Sequence, residues 1–124
     1  MTIRKGLPNG NPFSIIIAQM TIKEAQKLVD EWIMSTGKGY FQPVTNVAAL
    51  AEEVGELAHV VLRRCGEQRP KPGDAFDDEA VASELADVLW VTLALANQLG
   101  VDLSKALRDG HEKRSRRDVH RFDV

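Results

Sequence analysis

Apolar positions recur along this chain at steps of three and four residues, and no stretch carries the two-residue period of a strand. Ile22, Ala25, Val29, Trp32 and Ile33 share one face of a first helix that runs to about Ser35. Thr21 and Glu24 have the spacing of a capping box, Met20 and Ala25 that of a hydrophobic staple, and Gly37 and Gly39 close the element. A second helix is expected after Pro43, capped by Thr45 or Asn46 and stopped at Gly66. Its stripe of Val47, Leu50, Val54, Leu57 and Val61 is predicted to face the core. Residues 66–76, GEQRPKPGDAF, must be a loop. Asp77 or Asp78 caps a third helix, apolar almost all round from Glu84 to Leu99 and ended by Gly100. Asp102 caps a fourth helix to about Arg117, which Gly110 weakens. The fold class is therefore all-α with four main helices. The third helix has more apolar surface than a small chain can cover, so a four-helix-bundle core completed by dimerisation is expected, as a dimer or a dimer of dimers. Residues 1–19, with Gly6, Pro8, Gly10 and Pro12, read as a flexible arm or an added strand ahead of a domain spanning 20–124.

The polar residues that interrupt the apolar faces carry the chemistry. Glu53 does not lie opposite the second helix's stripe; Leu57 flanks it on one side, Ala49 and Val60 on the other, and Glu56 sits at the edge of the same arc. On the third helix Glu84 stands beside Val88, Val91 and Leu95, and Asp87 beside Ala94. Carboxylates in apolar surroundings are costly unless a positive charge compensates them. Two buried helices, each with an acidic pair one turn apart, can face one another as an oxygen cage, which suits Mg²⁺ or Mn²⁺. Taken singly, each pair is an ordinary feature of a solvated helix.

Totals change the picture little. The 124 residues are enough for one domain with a core, and a net charge of −2 gives no global signal for a nucleic acid polymer or a membrane surface. The segment from Lys105 to Val124 is nevertheless basic, with seven Lys or Arg against four Asp or Glu. Cys65 is the sole cysteine, so no internal disulfide can form, and a reducing cytoplasmic setting fits. Glu56 and His59 have the Glu-x-x-His spacing of di-iron bundles, but such bundles need the motif twice.

EEVGEL at 52–57, ELADVLW at 84–90 and VDL at 101–103 resemble the MazG-like family of the all-α nucleoside triphosphate pyrophosphohydrolases, whose signature is EExxE, a spacer and ExxD. The resemblance covers roughly residues 20–122. It implies a homodimer or homotetramer that cleaves a nucleoside triphosphate to the monophosphate and pyrophosphate. It also implies Mg²⁺ ligands at Glu53, Glu56, Glu84 and Asp87, with Glu52 orienting or deprotonating the attacking water. Relatives carry Lys and Arg on the last helix, and Lys113, Arg117 and Arg121 look like that segment, with a solvated helix end as the alternative. Lys38 can reach a phosphate or remain a surface lysine. Asn97 can meet a sugar or base, or simply end its helix. Trp32 can stack on a base, as can Tyr40 and Phe41, although its place on an apolar face suits the core. The competing functional class is a non-catalytic helical dimerisation or regulatory module with a structural metal site.

Overall fold

The structure, a computed structural model, describes residues 19–123, so the expected N-terminal arm lies outside the described residues apart from Gln19. Four helices and no strand are found among them: α1 (Ile22–Ser35), α2 (Pro43–Arg64), α3 (Asp78–Gln98) and α4 (Leu103–Asp118). No helix among these residues is long and apolar enough to cross a membrane.

Local chemistry sets most of the boundaries. The capping box of α1 forms, with the Glu24 amide donating to Thr21 Oγ1 at 3.1 Å. Gly37 and Gly39 donate to the Trp32 and Ile33 carbonyls and turn the chain out of the helix. A Cβ at Gly37 would stand 3.0 Å from the Ile33 oxygen, so only glycine passes here without a shift. Asp77 and Asp102 cap α3 and α4 by accepting from the Ala80 and Lys105 amides. The start of α2 differs from expectation. Pro43, whose fixed φ suits the first helical position, begins the helix itself, and Gln42 occupies the cap without a side-chain bond. Neither Thr45 nor Asn46 is a cap; Asn46 lies one turn inside and is buried.

α2 and α3 form a long antiparallel pair. The start of α2 meets the end of α3 through Asn46 and Gln98, and the end of α2 meets the start of α3 through Arg64 and Asp78. α1 lies across α3, where Val29 and Ile33 pack against Leu93 and Ala94, joined by Ile22, Ala25, Tyr40 and Leu103. α4 joins through Gln26, which accepts from the Leu103 amide at 3.1 Å and donates to the Val101 carbonyl at 2.9 Å. Asp74 fastens the 66–77 loop back onto α2, accepting from the Lys71 amide at 2.8 Å and pairing with Arg63 and His59.

The expected core stripe of α2 is rotated. Its inward side is Asn46, Ala49, Leu50, Glu53, Leu57 and Val60, whereas Val47, Val54 and Val61 stay exposed. On α3, Leu85 and Leu89 are exposed as well. Each exposed position on α2 follows an inward one by a single residue, and so does Leu85 after Glu84 and Leu89 after Val88. In an antiparallel pair that one-residue step turns both helices toward the same side. The result is one continuous apolar face that no other element among the described residues covers.

Candidate active site

The same rotation that exposes the valines directs Glu53 toward α3. Glu53, Glu84 and Asp87 each place a carboxylate oxygen within 4.8 Å of the others, two of the residues half-buried and Asp87 exposed. The i,i+3 spacing puts Glu84 and Asp87 on one face of α3, and Glu53 meets them across the helix pair. Loss of hydration raises the pKa of Glu53, and the charges of Asp87, Glu84, Glu52 and Glu56 add to the shift in that order. Three oxygen donors on two rigid helices fit a hard divalent cation. Glu56 and Glu52 are exposed and stand outside the trio, though both charges are felt by Glu53.

Beside the trio opens a cleft of about 370 Å³ with Glu53 and Asp87 in its wall. Trp32, Tyr40, Phe41 and Trp90 supply aromatic surface, and Gly37, Gly39, Asn46 and Ala49 complete much of the lining. Trp32 is not a core residue despite its place on the apolar face of α1. It is 50% exposed, with its ring edge-on to Trp90 at 5.5 Å between centroids. Tyr40 is steadied by donating to Asp30 Oδ1 at 2.5 Å, and burial followed by that bond raises its pKa.

The remaining predicted contacts fall elsewhere. Lys38 sits between two glycines of the cleft wall, in the left-handed region at φ 59°, but is not itself part of the lining. Asn97 accepts from Gln26 Nε2 at 3.0 Å and donates to the Gln26 carbonyl at 2.7 Å, so both ends of its amide tie α3 to α1. Lys113, Arg117 and Arg121 do not line the cleft of a single chain. Arg117 and Arg121 both pair with Asp118, whereas Lys113 has no ion-pair partner among the described residues.

Two cleft residues were legible in the sequence and escaped notice. Trp90 follows Asp87 by three residues and so shares its face, and Asn46 precedes Glu53 by seven, two turns up the same side. The mistaken cap at Asn46 concealed the second.

Comparison with known proteins points to one family. Residues 41–122 match the MazG nucleotide pyrophosphohydrolase domain. YpjD of Bacillus subtilis (strain 168), itself uncharacterised, is 38% identical over 106 residues, covering 86% of this chain and 94% of that protein. YvdC of the same organism, also uncharacterised, is 30% identical over 105 residues, covering 82% and 99%. Among solved structures, a Bacillus-conserved MazG protein described as a nucleotide pyrophosphohydrolase superposes with a TM-score of 0.64 at 38% identity, covering 77% of this chain and 90% of that one.

Proposed function

This chain belongs to the MazG nucleotide pyrophosphohydrolase family, and on that footing we propose that it cleaves a (deoxy)nucleoside triphosphate to the monophosphate and pyrophosphate with the help of Mg²⁺ or Mn²⁺. The observation that carries this reading is the carboxylate trio at the wall of an aromatic cleft. Glu53, Glu84 and Asp87 would hold the cation, and Glu56, one turn beyond Glu53, would complete the set. When bound, such an ion draws charge from the phosphate oxygens and makes water a better nucleophile. Glu52 accepts the proton of the attacking water or aims it. Trp32, Tyr40, Phe41 and Trp90 hold the base and keep bulk water from that side of the cleft. Lys38, Lys113, Arg117 and Arg121 balance the charge of the triphosphate and of the pyrophosphate that leaves.

The working unit in this proposal is a homodimer or homotetramer. The face of Val47, Val54, Val61, Leu85 and Leu89 supports it, because two copies meeting there complete a four-helix core. The deciding experiment is pyrophosphate release from a panel of common and damaged nucleoside triphosphates with Mg²⁺ or Mn²⁺. Pyrophosphate and monophosphate in equal amounts are expected. No turnover with any of them, joined to a metal-dependent rise in melting temperature, would leave the helical dimerisation or regulatory module.

A further inference from the structure

The cleft contains an amide whose orientation the fold dictates. Asn46 is 7% exposed and is the buried polar side chain among the described residues. It lines the cleft two turns before Glu53 on α2, about 10.5 Å along the helix axis. The Phe41 carbonyl can only accept, so Gln98 turns its Nε2 toward it. Gln98 Oε1 is thereby left facing Asn46, and it accepts from Asn46 Nδ2 at 2.9 Å. Because this relay starts from a group with no choice of role, it fixes which end of the Asn46 amide faces Gln98. Oδ1 is the end turned away. It has no hydrogen-bond partner among the described residues, yet no side-chain oxygen there is both buried and unpaired. Oδ1 is therefore not sealed off, and the cleft is the space that Asn46 lines. A nearly buried amide held at one end only is a poor packing residue, since its free acceptor has lost most of its water. Helix capping does not account for it either, because α2 begins before it.

We propose that Asn46 Oδ1 reads the nucleobase by accepting a hydrogen bond from an N–H on the base's pairing edge, with Gln98 as its positioning residue. The proposal rests on the pyrophosphohydrolase reading and deepens it. The substrate class becomes nucleotides whose base carries an N–H on that edge and stacks among Trp32, Tyr40, Phe41 and Trp90. Spacing agrees: a sugar and a base ring separate the phosphates of a nucleotide from that edge, and two helical turns separate Glu53 from Asn46. An analogue lacking the donor would strand a desolvated acceptor, which is how a hydrogen-bonding site rejects isosteres.

The test measures pyrophosphate release with three substrates. One is the best natural triphosphate, one is its analogue with every pairing-edge N–H methylated, and one is ribose 5-triphosphate with no base. In the wild-type protein, methylation should raise KM roughly tenfold or more while kcat changes little. Asn46→Ala should lower kcat/KM for the nucleotide relative to the baseless triphosphate by roughly two- to tenfold, the range for one neutral hydrogen bond. The same variant should bring the ratio of parent to methylated analogue toward one. Gln98→Met frees the amide to turn and should lower that ratio too. Equal KM for parent and methylated analogue in the wild-type protein would overturn the proposal without any variant having to fold. Equal loss by Asn46→Ala on the nucleotide and the baseless triphosphate would make Asn46 a structural residue only. Both results leave the pyrophosphohydrolase reading standing; that reading fails only if the wild-type protein turns over no triphosphate.

Discussion

Leu89→Lys should weaken the proposed dimer while leaving the protomer folded. Leu89 is 56% exposed at the centre of the α2/α3 apolar face, so in one chain about half of its side chain remains to be buried. Full burial of a leucine is worth about 1.5–3 kcal/mol, so the remaining half can contribute on the order of 1 kcal/mol. A twofold interface uses each position twice, which makes the loss about 2 kcal/mol, or roughly a thirtyfold weaker dimer. The introduced ammonium adds to this, because it must stay hydrated or enter an apolar seam. Val54→Lys, on the same face and 48% exposed, should act in the same direction. The folded protomer has little to lose at either site, since both side chains already meet water. The assay is light scattering and sedimentation over a concentration series, with circular dichroism as the check on folding. A wild-type protein that is monomeric at tens of micromolar, or a Leu89→Lys dimer of unchanged affinity, would refute the argument from this face.

Three further outcomes are expected. Glu53 has a pKa raised above its ordinary 4.5, so in the metal-free protein its ionisation costs stability as pH rises from that value through the raised one; Glu53→Gln should raise the metal-free melting temperature at pH 7, leave it unmoved near pH 3, and abolish both turnover and the metal-induced rise. Asp74 is lowered from its ordinary 3.8 by the Lys71 amide, then by Arg63 and His59, so its contribution is present above that value and lost as pH falls through the lowered one; Asp74→Asn should lower the melting temperature at pH 7, and a difference that persisted at pH 2 would contradict this. Lys113→Ala should weaken triphosphate binding by about ten- to a hundredfold, the range for one charge-assisted hydrogen bond, and Arg117→Ala by less, because its guanidinium is already paired with Asp118; unchanged kinetics in both would return the tail to solvated surface.

The helix boundaries were legible wherever local chemistry decides them. Thr21 with Glu24, Asp77, Asp102 and the glycines after α1 acted as their types predict. Proline at the first position of α2 was the exception, because a helix can begin on proline as readily as follow it. The shared face of Glu84 and Asp87 was legible from spacing, since i,i+3 neighbours share a face wherever the helix goes, but the same rule pairs Glu53 with Glu56, which stands outside the trio. What the sequence could not give was the angle at which α2 meets α3. Its apolar arc is wider than one contact needs, and nothing in a single sequence separates residues that face their own chain from residues that face another. The apolar period alone therefore places Val47, Val54 and Val61 in the core, and Trp32 beside them with stacking as its alternative, whereas all four are exposed in the single chain.

The polar ties at the two ends of the helix pair bear on how a cation would be bound. An apolar seam tolerates sliding, and a slip of one turn, about 5.4 Å, would carry Glu53 out of register with Glu84 and Asp87. Asn46 with Gln98 at one end, and Arg64 with Asp78 at the other, oppose that slip. Between them the carboxylates of Glu84 and Asp87 stand close to Glu53, and their charges add to the rise in its pKa. The pair is thus tied at its ends with carboxylates crowded between, so a cation arriving there would find its ligands already mustered. Its binding energy would go into relieving a repulsion rather than into assembling a site.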